Sequence, residues 1–292
     1  MTEHWLIFGA TSAIGRGVQA RLDARRDDCT CVTRGAKPVG SRARWIVGAL
    51  PEIRIDVGCD FVASLGPLDA FVRWLEHASL AGVRRVVALS STSIHVKRGS
   101  SDLAERALAE TLAASEAALV ERCSRAGVAW TVLRPTLIYG AGGALAEIAV
   151  LARRFRFALV PRGANGKRMP VHVGDVAAAV VAATAAEAAA DRAYDLPGGE
   201  AIAYRAMVAR VLAALPSRPR LVVAPDVMAR PLLALAARLR GGSPALVARM
   251  CDDLVFDAAP AGRDFGYAPR AFDLDATMLE GDADSRSVRA VS

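Results

Sequence analysis

Lysine is almost missing from this 292-residue chain: three occur, at 37, 97 and 167, and arginine supplies the other 34 of its 37 basic residues. The arginines are spread through alanine-rich stretches and are not interleaved with aromatics. A net charge of +7 therefore reads as a solvated surface, and no nucleic-acid partner is expected. No CxxC occurs among Cys29, Cys31, Cys59, Cys123 and Cys251, and the four histidines are too few and too far apart for a zinc site, so no metal is expected. Long hydrophobic runs are also lacking. The longest uncharged run, Pro135 to Ala146, has 12 residues with three glycines among them, too short and too broken to span a bilayer. No signal-peptide pattern is visible, because Glu3 leads directly into a strand-like run. The expectation is a cytoplasmic protein with no membrane partner. No internal repeat with a period of roughly 20–50 residues is found.

Apolar residues make up 53% of the chain and charged ones 23%, enough to bury a sizeable core in one large α/β unit or two modest domains. Through the first half, strand-like runs alternate with helical ones. Strands are expected at 5–9, 29–33, 43–47, 60–65, 84–90 and 128–135, and helices at 13–25, 67–81 and 102–126. Continuous apolar strands separated by helices predict a doubly wound parallel sheet, the dinucleotide-binding α/β class, with a smaller C-terminal α/β lobe. Residues 1–140 would form the core, 141–280 mainly a substrate-side lobe partly interleaved with it, and 281–292 a disordered tail. In the second half, GAGG (140–143) reads as a turn and 160–173 as a loop leading into a strand. Asp175 is the expected cap of an alanine-rich helix, 193–199 is a strand followed by a turn, and helices are expected near 203–214 and 226–240.

Residues 7–17, IFGATSAIGRG, run from an apolar strand into a loop with glycine at 9 and 15 and Ser12 between them. A strand before the loop, a helix after it and a second strand about twenty residues on are the context a dinucleotide loop needs. Gly9 permits the tight turn, Ser12 is small enough for a phosphate to approach, and Gly15 lets the helix pack against the sheet. The helix N-terminus offers free N–H groups and the positive end of its dipole to a pyrophosphate. No acid lies in residues 29–40 to hold the ribose hydroxyls of NAD. Instead Arg34 ends the second strand, with Lys37 and Arg16 near, which favours NADP over NAD. A solvated loop charge is the competing reading of Arg34.

Four segments in chain order resemble the short-chain dehydrogenase/reductases, in the extended or atypical branch typified by NAD-dependent epimerases and dehydratases. They are GATSAIG (9–15), LSSTS (89–93), VLRPTLIYG (132–140) and VHVGDVAAAV (171–180), with DFGYAPRAF (264–272) as a weaker echo. The resemblance implies cofactor contacts at Gly9, Thr11, Ser12, Ala13, Ile14, Gly15, Arg34, Leu50, Leu65, Gly66, Ser90 and Pro135. It makes Thr92 the family's Ser/Thr position beside a substrate carbonyl. It implies a small-molecule substrate and leaves a homodimer open.

Two departures stand out. The family's third strand often ends Gly-Asp-Leu, with the acid near the adenine; here it reads Gly48-Ala49-Leu50. The family also uses a Tyr and a Lys four residues apart on its long helix, one face of which points at nicotinamide and substrate. Here those places hold Leu112 and Glu116, no tyrosine precedes Tyr139, and no lysine lies between 98 and 166. Leu112 also belongs to an apolar stripe with Leu108, Ser115, Leu119 and Cys123, above an Asp102/Glu105 capping-box spacing. His95, just past the fifth strand, where the family often has Tyr, is either a group suited to proton transfer near neutral pH or an ordinary polar loop residue. Tyr139 matches a family tyrosine with a structural role. Arg162, Lys167 and Arg168 either face an anionic substrate or belong to a solvated loop. Two functions are carried forward. One is an NADP(H)-dependent oxidoreductase or epimerase-like enzyme with non-standard proton transfer. The other is a non-catalytic NADP(H)-binding sensor or assembly factor.

Overall fold

The computed structural model describes residues 2–38, 40–55, 58–140, 142–239 and 241–279. The predicted tail, 281–292, lies outside the described residues. The first half alternates as expected: β1 (His4–Phe8), α1 (Ala13–Arg25), β2 (Asp28–Thr33), β3 (Arg44–Val47), β4 (Phe61–Ser64), α2 (Leu68–Leu75), β5 (Arg85–Leu89), α3 (Ser93–Val96), α4 (Leu103–Ala126) and β6 (Ala129–Pro135). The second half holds β7 (Ile138–Tyr139), α5 (Ala144–Phe155), β8 (Phe157–Pro161), β9 (Lys167–Arg168), β10 (Val171–His172), α6 (Val173–Ala185) and β11 (Arg192–Leu196). It continues with β12 (Ile202–Ala203), α7 (Tyr204–Ala213), β13 (Arg220–Ala224), α8 (Asp226–Leu239), α9 (Ala245–Arg249) and α10 (Ala259–Phe265).

Seven parallel strands form the central sheet in the order β11-β6-β5-β4-β1-β2-β3. Ile7 of β1 stands in register with Cys31 of β2 and Ala63 of β4. Because side chains alternate across a strand, the sheet feeds two cores. Trp5, Ile7, Cys29, Cys31 and Ala63 pack under α1, α6 and α10, while Leu6, Phe8, Val62 and Val86 pack under α2 and α4. The alternation puts Cys29 and Cys31 on one face, as expected, and burial pushes the Cys29 thiol up to about 12. A third cluster around Leu145, Met207, Val211 and Phe272 is the core of the C-terminal lobe.

Local chemistry explains the main boundaries. Asp102 accepts the N–H groups of Ala104 and Glu105 to start α4, and Gly127, in the left-handed region at φ 65°, ends it. The capping box is half formed, since the Glu105 carboxylate turns to Ser100 and Arg249 instead of back to Asp102. The helix predicted over 67–81 stops at Leu75. α6 is capped by His172 and not by Asp175: His172 Nδ1 accepts the N–H of Gly174 at 3.0 Å, and Asp175, one turn in, pairs with Arg270. The far end of α6 closes on buried Arg85, whose guanidinium donates to the carbonyls of Ala183, Thr184 and Ala186. Helix α5 and strand β8 occupy 144–161, where the sequence suggests only loosened patterning.

Candidate cofactor and catalytic site

Strand order reverses at β1, which has β2 on one side and β4 on the other. At such a switch point the loops leaving the carboxyl ends of the strands part, and the crevice between them is where α/β sheets bind ligands. Gly9 opens that crevice at φ 75°, and a Cβ there would stand 2.9 Å from the Leu65 backbone. A Cβ on Gly15 would stand 2.4 Å from the Gly9 carbonyl oxygen. Both glycines are therefore demanded by the close approach of loop, helix and β4. Ser12 caps α1 by accepting the N–H of Gly15 at 3.0 Å, and its backbone carbonyl takes the N–H of Arg16 at 2.8 Å. The amides of Ala13 and Ile14 begin the helix, where no intrahelical acceptor exists. No acidic residue lies in this first turn. A helix end with outward N–H groups, no acid and a small hydroxyl residue at its cap is chemically suited to a pyrophosphate.

Around that crevice the fold brings Thr11, Ser12, Ala13, Ile14, Leu65 and Gly66 together through the β1–β4 pairing, since the Leu65 N–H donates to the Phe8 carbonyl at 3.0 Å. Ser90 and Thr92 follow β5, and Pro135 ends the adjacent β6. Arg34 is exposed at the end of β2, and half-buried Leu50 packs on the core beneath α2.

The ends of β5 and β6 hold a charged network that the sequence did not announce. Glu116 is 7% exposed, and its carboxylate accepts the Ser90 hydroxyl at 2.5 Å. Arg134 clasps the same carboxylate with two nitrogens, Nε at 2.9 Å and Nη2 at 2.5 Å. The hydrogen bonds that Arg134 donates to Glu116 raise its guanidinium above the ordinary range, so Arg134 stays charged. Its Nη1 lies 3.8 Å from Asp195 Oδ1 on β11, and that oxygen is 3.3 Å from His95 Nε2. A continuous chain thus runs Ser90, Glu116, Arg134, Asp195, His95. Leu112, in the place of the tyrosine, is 8% exposed and apolar. The Thr92 hydroxyl is bonded to the Pro135 carbonyl at 3.3 Å. The signal for Glu116 was present as an acid beside the apolar stripe of α4; its arginine partner sits 18 residues on, in another element, where spacing rules do not reach.

Other named residues have structural places. Tyr139 is buried, donates to the Ala271 carbonyl, and packs edge-on against His172 and Phe272. Arg168 is not a solvated loop charge. It is buried against Tyr204 and bonds the carbonyls of Arg249 and Asp252, whereas Arg162 and Lys167 are exposed.

No family model and no curated protein matches the sequence. Solved structures do resemble the fold. MoeE5 in complex with UDP-glucuronic acid and NAD shares 19% identity at a TM-score of 0.68, over 92% of this chain and 94% of that one. UDP-glucose 4-epimerase from Thermotoga maritima, with UDP-glucose, shares 14% at 0.66, over 91% and 93%. UDP-glucuronic acid 4-epimerase from Bacillus cereus, in complex with NAD, shares 13% at 0.67, over 95% and 97%. Over more than nine-tenths of its length, this chain shares the fold of these three solved structures.

Proposed function

We propose that this chain is a member of the extended short-chain dehydrogenase/reductases, of the epimerase/dehydratase type, which binds a nicotinamide dinucleotide, NADP(H) in preference to NAD(H), and acts as an oxidoreductase or epimerase-like enzyme with its own route for the proton. The observation that carries the reading is the crevice itself: the glycine loop and the acid-free N-terminus of α1 open at the switch point of the sheet, and the Ser90–Thr92 run follows β5, the strand beside β4. When bound there, the nicotinamide supplies hydride exchange. The first turn of α1 would hold the pyrophosphate, Arg34 the 2′-phosphate, and Leu65, Gly66 and Pro135 the walls. The lobe outside the seven-stranded sheet, within 141–280, would hold the substrate. MoeE5 has been captured with UDP-glucose and with UDP-glucuronic acid, and the Thermotoga maritima enzyme with UDP-glucose, so a nucleotide sugar is the first substrate class to test.

The tyrosine–lysine device is absent, and its polarity is inverted: an anion occupies the lysine's place and is neutralised by Arg134. Thr92 would position a substrate oxygen. His95, oriented by Asp195, would pass the proton. The test follows nicotinamide absorbance with purified protein, NADPH or NADP and a panel of nucleotide sugars, alcohols and ketones. Turnover that falls by roughly 10²–10⁴-fold in His95→Ala, with NADPH affinity kept, is the expected outcome. Unchanged turnover in that variant refutes the role of His95. A non-catalytic NADP(H) sensor or assembly factor is the second reading. It is favoured by buried Leu112 standing where the phenol would be. Tight NADPH binding with no turnover on any substrate would select it.

A further inference from the structure

The C-terminal lobe carries an apolar helix face that no described residue covers. On α8, Met228, Leu232, Leu235 and Leu239 recur at spacings of four, three and four, which places them along one narrow stripe of the helix. All four are exposed, Met228 to 66% and Leu239 to 80%, and Val227 beside them to 84%. The helix turns its other side inward through buried Ala229 and half-buried Leu233, and it packs on β8. The neighbouring elements also carry exposed apolar residues, Phe157 on β8, Val222 and Val223 on opposite faces of β13, and Phe155 at the end of α5.

The charge around this surface is one-sided. Residues 148–162 and 216–239, which build these elements, hold eight arginines and a single acid, a net +7 that equals the charge of the whole chain. Arg154, Arg156, Arg218, Arg220 and Arg238 are exposed. The acid, Asp226, is tied to Arg230 at 2.9 Å and to the Gly163 amide at 2.8 Å.

We propose that this lobe docks on the surface of an anionic lipid bilayer, with the α8 stripe entering the boundary between headgroups and acyl chains and the arginines meeting the lipid phosphates. An amphipathic helix with large aliphatic residues on one face and a basic border is the form that lies in a membrane interface without crossing it. A second copy of the chain is a poor occupant, because two surfaces of the same strong positive charge would be brought face to face. A nucleic acid would satisfy the arginines and leave the aliphatic stripe in water.

The test is co-sedimentation of the full chain with vesicles of phosphatidylcholine alone or with about one third phosphatidylglycerol. Binding to the anionic vesicles, little to the neutral ones, and release by salt are expected. Leu232→Asp with Leu235→Asp should lower partitioning by at least about tenfold. Because these side chains are exposed, the variant should keep its thermal transition and its NADPH affinity. Arg220→Glu with Arg238→Glu should weaken binding without touching the stripe. Failure to bind any vesicle overturns the proposal, and so does equal, salt-insensitive binding to both kinds. Concentration-dependent dimerisation in the ultracentrifuge, lost in the leucine double variant and with no vesicle binding, would overturn it in favour of a second copy.

Discussion

At Ser12 one side chain has two jobs that can be separated by substitution. Its oxygen caps α1, and its position faces the proposed pyrophosphate. Gly15→Val is a poor probe, because any Cβ there collides with the Gly9 carbonyl and damages the loop with or without a ligand. Ser12→Asp keeps a good cap and places an anion against the phosphates. Its thermal stability should hold while NADPH affinity falls at least about tenfold by calorimetry. Arg34→Ala should weaken NADPH by about 10–150-fold and leave NADH nearly unchanged; equal losses would make Arg34 a structural residue. Glu116 and Arg134 form the second residue-scale unit. With 9% and 19% of their side chains exposed, neither is screened by bulk water. Arg134→Ala strands a buried carboxylate and should cost about 3–5 kcal/mol in chemical denaturation, much of it regained in Glu116→Gln/Arg134→Met. The same pair explains why restoring the family device needs three changes. Leu112→Tyr with Glu116→Lys would set a lysine against Arg134, so Arg134 must also be replaced by a neutral residue.

Among the elements, α6 shows how a pattern points to a helix and misplaces its start. The alanine-rich run is legible, but the cap is a histidine whose ring is fixed by Tyr139 and Gly140 from another segment. Burial first, and Arg270 second, lower the His172 pKa. The folded protein therefore resists a proton that the unfolded chain accepts. The resulting stability is present above the ordinary histidine value and is lost as the pH falls through and below it. Asparagine is an equally good cap and does not titrate. His172→Asn should flatten the fall in melting temperature between about pH 7.5 and about pH 5.5, as read by calorimetry. An unaltered pH slope would mean that other groups carry it. The α5–β8 unit went unread for a different reason. Its strand is completed by β13, some sixty residues later, and only that pairing gives Phe157–Pro161 an extended partner. Glu105 is a parallel case: spacing suggests a capping box, and Arg249 of α9 takes the carboxylate away.

For the whole molecule, the seven-stranded sheet is completed only when β11 returns to pair with β6, and α6 returns to pack on α1. Residues 1–140 alone would leave Val18 and Leu22 without α6 and would leave β6 as an open edge. That fragment should show no cooperative unfolding transition, whereas 1–279 should show one. A cooperative 1–140 would make the core an independent domain. The parallel core, the glycine loop, α4 with its cap and the absence of any Tyr and Lys four residues apart are all determined by the sequence itself. Each rests on local periodicity or on the identity of neighbouring residues, and such signals need no partner from elsewhere in the chain. Tertiary structure alone decided the Ser90–Glu116–Arg134–Asp195–His95 chain, the burial of Arg168 and the gathering of arginines that read as scattered. These depend on which strand lies beside which, and that follows from the crossovers and the shared core. A buried charge takes its partner from whatever element packs against it, however far away in the chain that element is.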